Sequence, residues 1–126
     1  MELETNGGCQ ISRWELHKRM LDNLSPERFG EAMAEEGNII LDVRTASEFQ
    51  YYHLPNAINL DYLAEDFLDR LEALDASRTY CVYCRSGRRS TRVCTLMANS
   101  GFTKVLHLDG GLNQWEAHFK QADKHG

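Results

Sequence analysis

Short unbroken apolar runs alternate along this chain with longer stretches in which apolar residues recur at helical spacing. Ile39-Ile40-Leu41-Asp42-Val43 is one such run, interrupted only near its end, and Thr79 to Tyr83 is a second, rich in β-branched and aromatic residues. Runs of this kind suit strands covered on both faces of a parallel sheet, because neither face is left to water. Lys104 to Leu108 reads as a further strand and Ala57 to Asn59 as a short one.

The helical blocks lie between these runs. Ser25-Pro26 reads as an N-cap with proline at the first helical position, and Phe29 and Met33 follow one turn apart, so a helix is predicted to about Glu36, ended by Gly37-Asn38. Thr45-Ala46-Ser47-Glu48 has the form of a capping box opening a short helix through Phe49 to Tyr51. Leu60, Leu63, Phe67, Leu68, Leu71 and Leu74 keep helical spacing with acidic residues between them, which predicts one amphipathic helix over the whole stretch. Val93, Leu96 and Met97 mark a helix ending near Ser100-Gly101, and Leu112, Trp115 and Phe119 mark a last one. Strands alternating with helices predict an α/β fold: a single domain with a mainly parallel central sheet and helices on both faces. Ahead of it, Met1 to Gln10 reads as a polar tail, and the capping-box pattern Ser12-Arg13-Trp14-Glu15 predicts a helix from Arg13 to about Asp22. Residues 1–23 are therefore read as an extension, 24–120 as the domain and 121–126 as a fraying tail.

Composition narrows the function classes. A chain of 126 residues with 42% hydrophobic and 26% charged residues fits one globular domain. Its net charge of -5 argues against a nucleic-acid partner. No apolar run reaches bilayer-spanning length, so no membrane partner is expected; the acidic start, Met1-Glu2-Leu3-Glu4, is unlike a signal peptide, and the expected location is cytoplasmic. Four cysteines (Cys9, Cys81, Cys84 and Cys94) are not spaced as a disulfide scaffold, and free thiols are expected. Cys81 and Cys84 form a Cys-x-x-Cys, the pattern of a redox dithiol or half a zinc site. Cys81 falls inside the predicted strand, however, and no second pair completes a metal shell, so no metal is expected.

The densest chemistry lies from Tyr80 to Ser90, Tyr-Cys-Val-Tyr-Cys-Arg-Ser-Gly-Arg-Arg-Ser, at the junction of a predicted strand and helix. Backbone N–H groups at such a junction favour negative charge, and Gly87 lets the loop curl so that several converge. Cys84 sits at the centre of that cup, with Arg85, Arg88 and Arg89 adding positive charge, an arrangement that favours a thiolate nucleophile. A buried cysteine at a strand end and a solvated arginine pair are the plainer interpretations of the same residues.

This loop resembles the active-site loop of the rhodanese-like family, which begins with Cys followed by an Arg-Ser-Gly-Arg type run. Leu41-Asp42-Val43-Arg44 with Glu48-Phe49 resembles the family's Asp-Val-Arg signature, and His53-Leu54-Pro55-Asn56-Ala57 its His-Ile-Pro-Gly-Ala turn. Gly110-Gly111-Leu112 with Trp115 is similar to its closing motif. Two departures stand out: Tyr52 and Asn56 occupy places where the family usually has glycine. Asparagine tolerates a left-handed backbone and tyrosine does so poorly, which leaves open a different turn before His53.

The resemblance implies sulfur transfer. Cys84 would carry sulfur as a persulfide from a small anionic donor such as thiosulfate to a thiol or cyanide, with a protein thiol as a further candidate acceptor and no cofactor required. Arg85, Ser86, Gly87, Arg88 and Arg89 would bind the donor, and the resemblance places the Asp-Val-Arg motif beside this loop. Asp42 and Arg44, at the carboxyl end of their strand, read as supporting residues, a structural ion pair or loop tether rather than catalysts. His53 is expected to shape its turn. The alternatives are a cysteine-dependent phosphatase or arsenate reductase of similar fold, a noncatalytic binding module, and a sulfur-relay domain of a larger protein. Phosphatase loops place arginine six positions after the cysteine, where this chain has Ser90, and binding modules usually lack the cysteine.

Overall fold

The structure is a computed structural model that describes residues 21–125. Five parallel strands form one sheet: β1 (Asp22–Leu24), β2 (Ile39–Asp42), β3 (Ile58–Asn59), β4 (Thr79–Tyr83) and β5 (Lys104–Leu108), in the spatial order β1-β5-β4-β2-β3. Five helices connect or follow them: α1 (Pro26–Ala34), α2 (Ala46–Tyr51), α3 (Phe67–Glu72), α4 (Arg88–Asn99) and α5 (Gly111–His125). Strand β4, the apolar run ahead of Cys84, lies at the centre with β2 and β5 paired on either side.

Alternation along β4 builds two cores. Tyr80, Val82 and Cys84 face Val93, Cys94 and Met97 of α4 and Phe67 and Leu71 of α3. Cys81 and Tyr83 face the other way, toward Phe29 of α1 and Leu112 and Trp115 of α5. Phe29 is fully buried, with ring edges against Tyr83 and Trp115. Burying a side chain of this size contributes ~1.5–3 kcal/mol. Helices cover both faces, as the unbroken apolar runs of β2 and β4 require.

The caps follow the sequence signals. The Ser25 hydroxyl accepts from the Arg28 amide at the start of α1. Thr45 and Glu48 complete a reciprocal capping box at α2. Asn56 adopts the left-handed backbone its side chain tolerates, with φ 64. Tyr52 is extended, with φ -167, so a tyrosine there causes no strain.

Four expectations are corrected. The single helix predicted from Leu60 to Leu74 shrinks to α3. The Leu60 amide still bonds to the Asp42 carbonyl in continuation of the sheet, and the Asp61 carboxylate accepts from the Leu63 and Ala46 amides, so the backbone turns instead of coiling. Leu63 and Leu68 are left 64% and 56% exposed, so their helical spacing does not report a buried face. Helix α1 stops at Ala34, two residues before Glu36, where the Asn38 side chain bonds to the Ala32 carbonyl. Asp22 and Asn23, assigned to the extension, pair in parallel with Leu106 and His107 as the edge strand β1. Helix α5 continues to His125, past Lys120, where the sequence predicts a fraying tail. The helix predicted from Arg13 lies outside the described residues up to its last two positions, and there Asp22 is in a strand.

Candidate active site

Cys84 follows the last residue of β4, at the carboxyl end of the central strand, where open α/β sheets place their ligands. Residues 85–87 curl back over it and lead into α4. Gly87 makes that curl possible, since its φ of 99 is a conformation other residues rarely adopt. Three donors then reach the Cys84 sulfur: the Gly87 amide at 3.1 Å, the Ser90 amide at 3.4 Å and the Ser90 hydroxyl at 3.3 Å. Donors converging on one atom stabilise negative charge there. Cys84 is only 2% exposed, so its sulfur forms the floor of the loop.

The loop is held from outside by the start of α5. Leu112 and Asn113 donate their amides to the carbonyls of Cys84 and Arg85 at 2.9 and 3.0 Å. The approach is so close that a Cβ at Gly111, whose φ is 61, would sit 2.5 Å from the Cys84 carbonyl oxygen. Gly110-Gly111 thus permits this contact, a reason for the motif that spacing alone does not reveal.

Asp42 and Arg44 form a buried structural unit at the end of β2. The Arg44 guanidinium meets the Asp42 carboxylate at 2.8 Å and donates to the Tyr52 carbonyl. Tyr83 donates its hydroxyl to Asp42 at 2.6 Å and accepts from the Leu54 amide, joining β4, β2 and the His53-Leu54-Pro55 turn. Burial works against the charge on Arg44, but the Asp42 carboxylate outweighs it and holds the guanidinium above its ordinary value. His53 bonds to the Phe49 carbonyl and stacks on the Phe49 ring, consistent with shaping its turn.

The loop arginines lie around the rim. Arg85 reaches outward to Glu116 at 3.1 Å, and Arg89 to Glu48 at 3.2 Å. Arg85, Ser86 and Arg88 are exposed, whereas Gly87 is buried beneath them. Burial opposes ionisation of Glu48, but hydrogen bonds from Thr45 and the Arg89 guanidinium prevail and hold its carboxyl below the usual range.

Two residues of the sulfur's surroundings are not evident from sequence. Ser90, which stands where phosphatase loops have arginine, is fully buried and touches Cys84, and His107 on β5 lies behind it at 2.7 Å. One signal was available: His107 is the one polar residue in an otherwise apolar run, Val105 to Leu108. The other described cysteines are also free thiols, but buried within the cores. Burial, with a smaller push from Glu35, raises the Cys81 thiol to about 11, and burial raises Cys94 further still.

A central-strand cysteine held under a curled loop, on a parallel sheet covered by helices, defines a class of α/β domain. The chain belongs to the rhodanese-like domain family, whose sequence model matches residues 25–118. It is 30% identical over 92 residues to the thiosulfate sulfurtransferase GlpE of Pseudomonas savastanoi pv. phaseolicola, an alignment covering 73% of this chain and 85% of that protein. Over 100 residues it is 29% identical to a sulfurtransferase of Allochromatium vinosum, covering 79% and 92% of the two chains. Among solved structures, the rhodanese-like domain of the Anabaena sp. Alr3790 protein superposes with a TM-score of 0.67 at 29% identity, covering 78% of this chain and 75% of that one.

Proposed function

We propose that this chain is a sulfurtransferase that carries sulfane sulfur on Cys84. The observation that carries this reading is the Cys84 sulfur at the floor of a tight loop, receiving the Gly87 amide and both the amide and hydroxyl of Ser90. Similarity to proteins named as sulfurtransferases supports the same reaction.

In the first step the Cys84 thiolate attacks the outer sulfur of a donor such as thiosulfate. A Cys–S–S bond forms, the donor's S–S bond breaks, and sulfite leaves with the electron pair. In the second step an acceptor thiol or cyanide attacks the outer sulfur, and Cys84 leaves as the thiolate. The Gly87 and Ser90 donors stabilise the sulfur anion at both stages. Arg85, Arg88 and Arg89 draw the anionic donor to the rim, while Ser86 and Gly87 line its path. The exposed Arg85–Glu116 and Arg89–Glu48 pairs hold these side chains only weakly, since surface ion pairs contribute about 0–1 kcal/mol. An arriving anion can therefore compete for either guanidinium. Asp42 and Arg44 support the loop through Tyr83 without touching the sulfur. The free thiols of Cys81 and Cys94 fit a reducing, cytoplasmic setting.

A phosphate-transfer enzyme would need a guanidinium where Ser90 stands, and Ser90 is buried against Cys84 and His107. Purified protein is thus expected to turn over thiosulfate with cyanide faster than it hydrolyses p-nitrophenyl phosphate. Phosphatase turnover exceeding sulfur transfer would overturn the proposal.

A further inference from the structure

Behind the Cys84 sulfur runs a chain of polar contacts that sulfur transfer itself does not require. The Ser90 hydroxyl is 3.3 Å from Cys84 Sγ and 2.7 Å from His107 Nε2. His107 Nδ1 is in turn 2.7 Å from Asn23 Oδ1 on the edge strand. Ser90 is fully buried and His107 is 1% exposed, so water does not readily substitute for the link between them. Asn23 and His107 are register partners on β1 and β5, which places both side chains on the sheet face covered by α4.

The hydrogen positions follow from the partners. Asn23 directs its amide nitrogen to the Leu21 carbonyl at 3.4 Å and its oxygen to the ring, so His107 Nδ1 carries a hydrogen. In the neutral ring Nε2 is then a bare acceptor. The Ser90 hydroxyl has one proton and three acceptors in reach: His107 Nε2, Cys84 Sγ and, at 3.3 Å, the Gly87 carbonyl. Nε2 is the nearest of these, so with His107 neutral the hydroxyl donates to the ring and its oxygen can accept the Cys84 S–H.

We propose that Ser90 and His107 form a proton relay that takes the thiol proton of Cys84, with Asn23 fixing the ring. The proposal rests on Cys84 being the nucleophile. The Cys84 S–H bond breaks as its proton passes to Ser90 Oγ, and the Ser90 O–H bond breaks as its own proton passes to His107 Nε2. The products are a thiolate, an intact serine hydroxyl now donating to sulfur, and an imidazolium donating to Ser90 and Asn23. No electron changes hands. The pair keeps its opposite charges close together in a region of low dielectric, which stabilises both.

Among the described residues, the neighbouring groups on α4, β4 and β1 do not take over its role. Helix α4 brings Cys94, one turn past Ser90, whose thiol burial keeps protonated. Strand β4 brings Val82 beside His107, and β1 brings Asn23, neither of which titrates. The guanidinium groups of Arg88, Arg89 and Arg92 on α4 are donors only and offer no acceptor for the proton. Serine and histidine here are positioning residues, acting through the sulfur and not on the donor.

The test uses the full chain with 15N-labelled histidine. In the unmodified protein near neutral pH, the His107 ring nitrogens should give imidazolium shifts. After Cys84 is alkylated with iodoacetamide, they should revert to those of a neutral ring. The same reagent should alkylate Cys84, mapped by peptide mass, about tenfold more slowly in Ser90→Ala and His107→Gln. Ser90→Thr, which keeps the hydroxyl, should restore much of the rate. A histidine spectrum indifferent to alkylation, or variants alkylated as fast as the unmodified chain, would overturn the relay. Neither readout needs a sulfur donor, so a chain that transfers no sulfur but shows the coupling would sink the sulfurtransferase reading and leave the relay standing. Normal sulfur transfer without the coupling would do the reverse.

Discussion

Cys84→Ser is expected to reduce thiosulfate-to-cyanide turnover to the background rate while leaving the protein folded. A serine hydroxyl is scarcely ionised near neutral pH and cannot store sulfane sulfur as a persulfide, so the loss should be complete rather than graded. The fold should tolerate the change. The loop carbonyls are held by the amides of Leu112 and Asn113, and a serine oxygen can accept from the same Gly87 and Ser90 donors. A stability loss of about 1 kcal/mol, common for a point substitution, is the expected ceiling. Turnover assays paired with urea unfolding separate the two effects. Retained turnover would remove Cys84 from the mechanism, and an unfolded variant would show that the loop depends on the sulfur itself.

Asp42→Ala should do the opposite, harming stability first. Both members of the Asp42–Arg44 pair are buried, and removing the carboxylate strands a guanidinium together with the Tyr83 hydroxyl that donated to it. Removing one partner of a buried ion pair costs about 3–5 kcal/mol, a large share of the ~5–15 kcal/mol that holds a domain folded. Urea unfolding should show a midpoint shifted well down. A change below about 1 kcal/mol would mean that solvent reaches Arg44 in the variant and relieves the charge.

The parts of the fold that the sequence made legible are those set by local pattern. The β4 run and the helical spacing of Val93, Leu96 and Met97 bracket Cys84, and the structure has a strand and a helix on either side of it. The capping residues Ser25 and Thr45 act within three positions of their partners, so their role could be read directly. What escaped depends on residues far apart in the chain. Strand β1 is three residues long, begins with two polar residues and exists only through pairing with β5, more than eighty positions away. The leucines from Leu60 to Leu74 keep a helical period, but periodicity cannot register that Asp61 ties the backbone into a turn. Sequence places Arg85 and Arg89 as charges around the sulfur, whereas their ion-pair partners are Glu116 and Glu48, supplied by other helices. The link from Cys84 through Ser90 to His107 and Asn23 runs from the loop after β4 through α4 and β5 to β1, so no single motif contains it.

The central claim, that Cys84 carries the sulfur, is tested most directly by the mass of the protein after incubation with thiosulfate. The chain should gain the mass of one sulfur atom, removable by cyanide, and peptide mapping should place it on the segment containing Cys84. Cys81 and Cys94 should stay unmodified, because burial raises both thiols above their ordinary values. No gain in mass, or a sulfur found on Cys9, Cys81 or Cys94 with Cys84 unchanged, would contradict the mechanism.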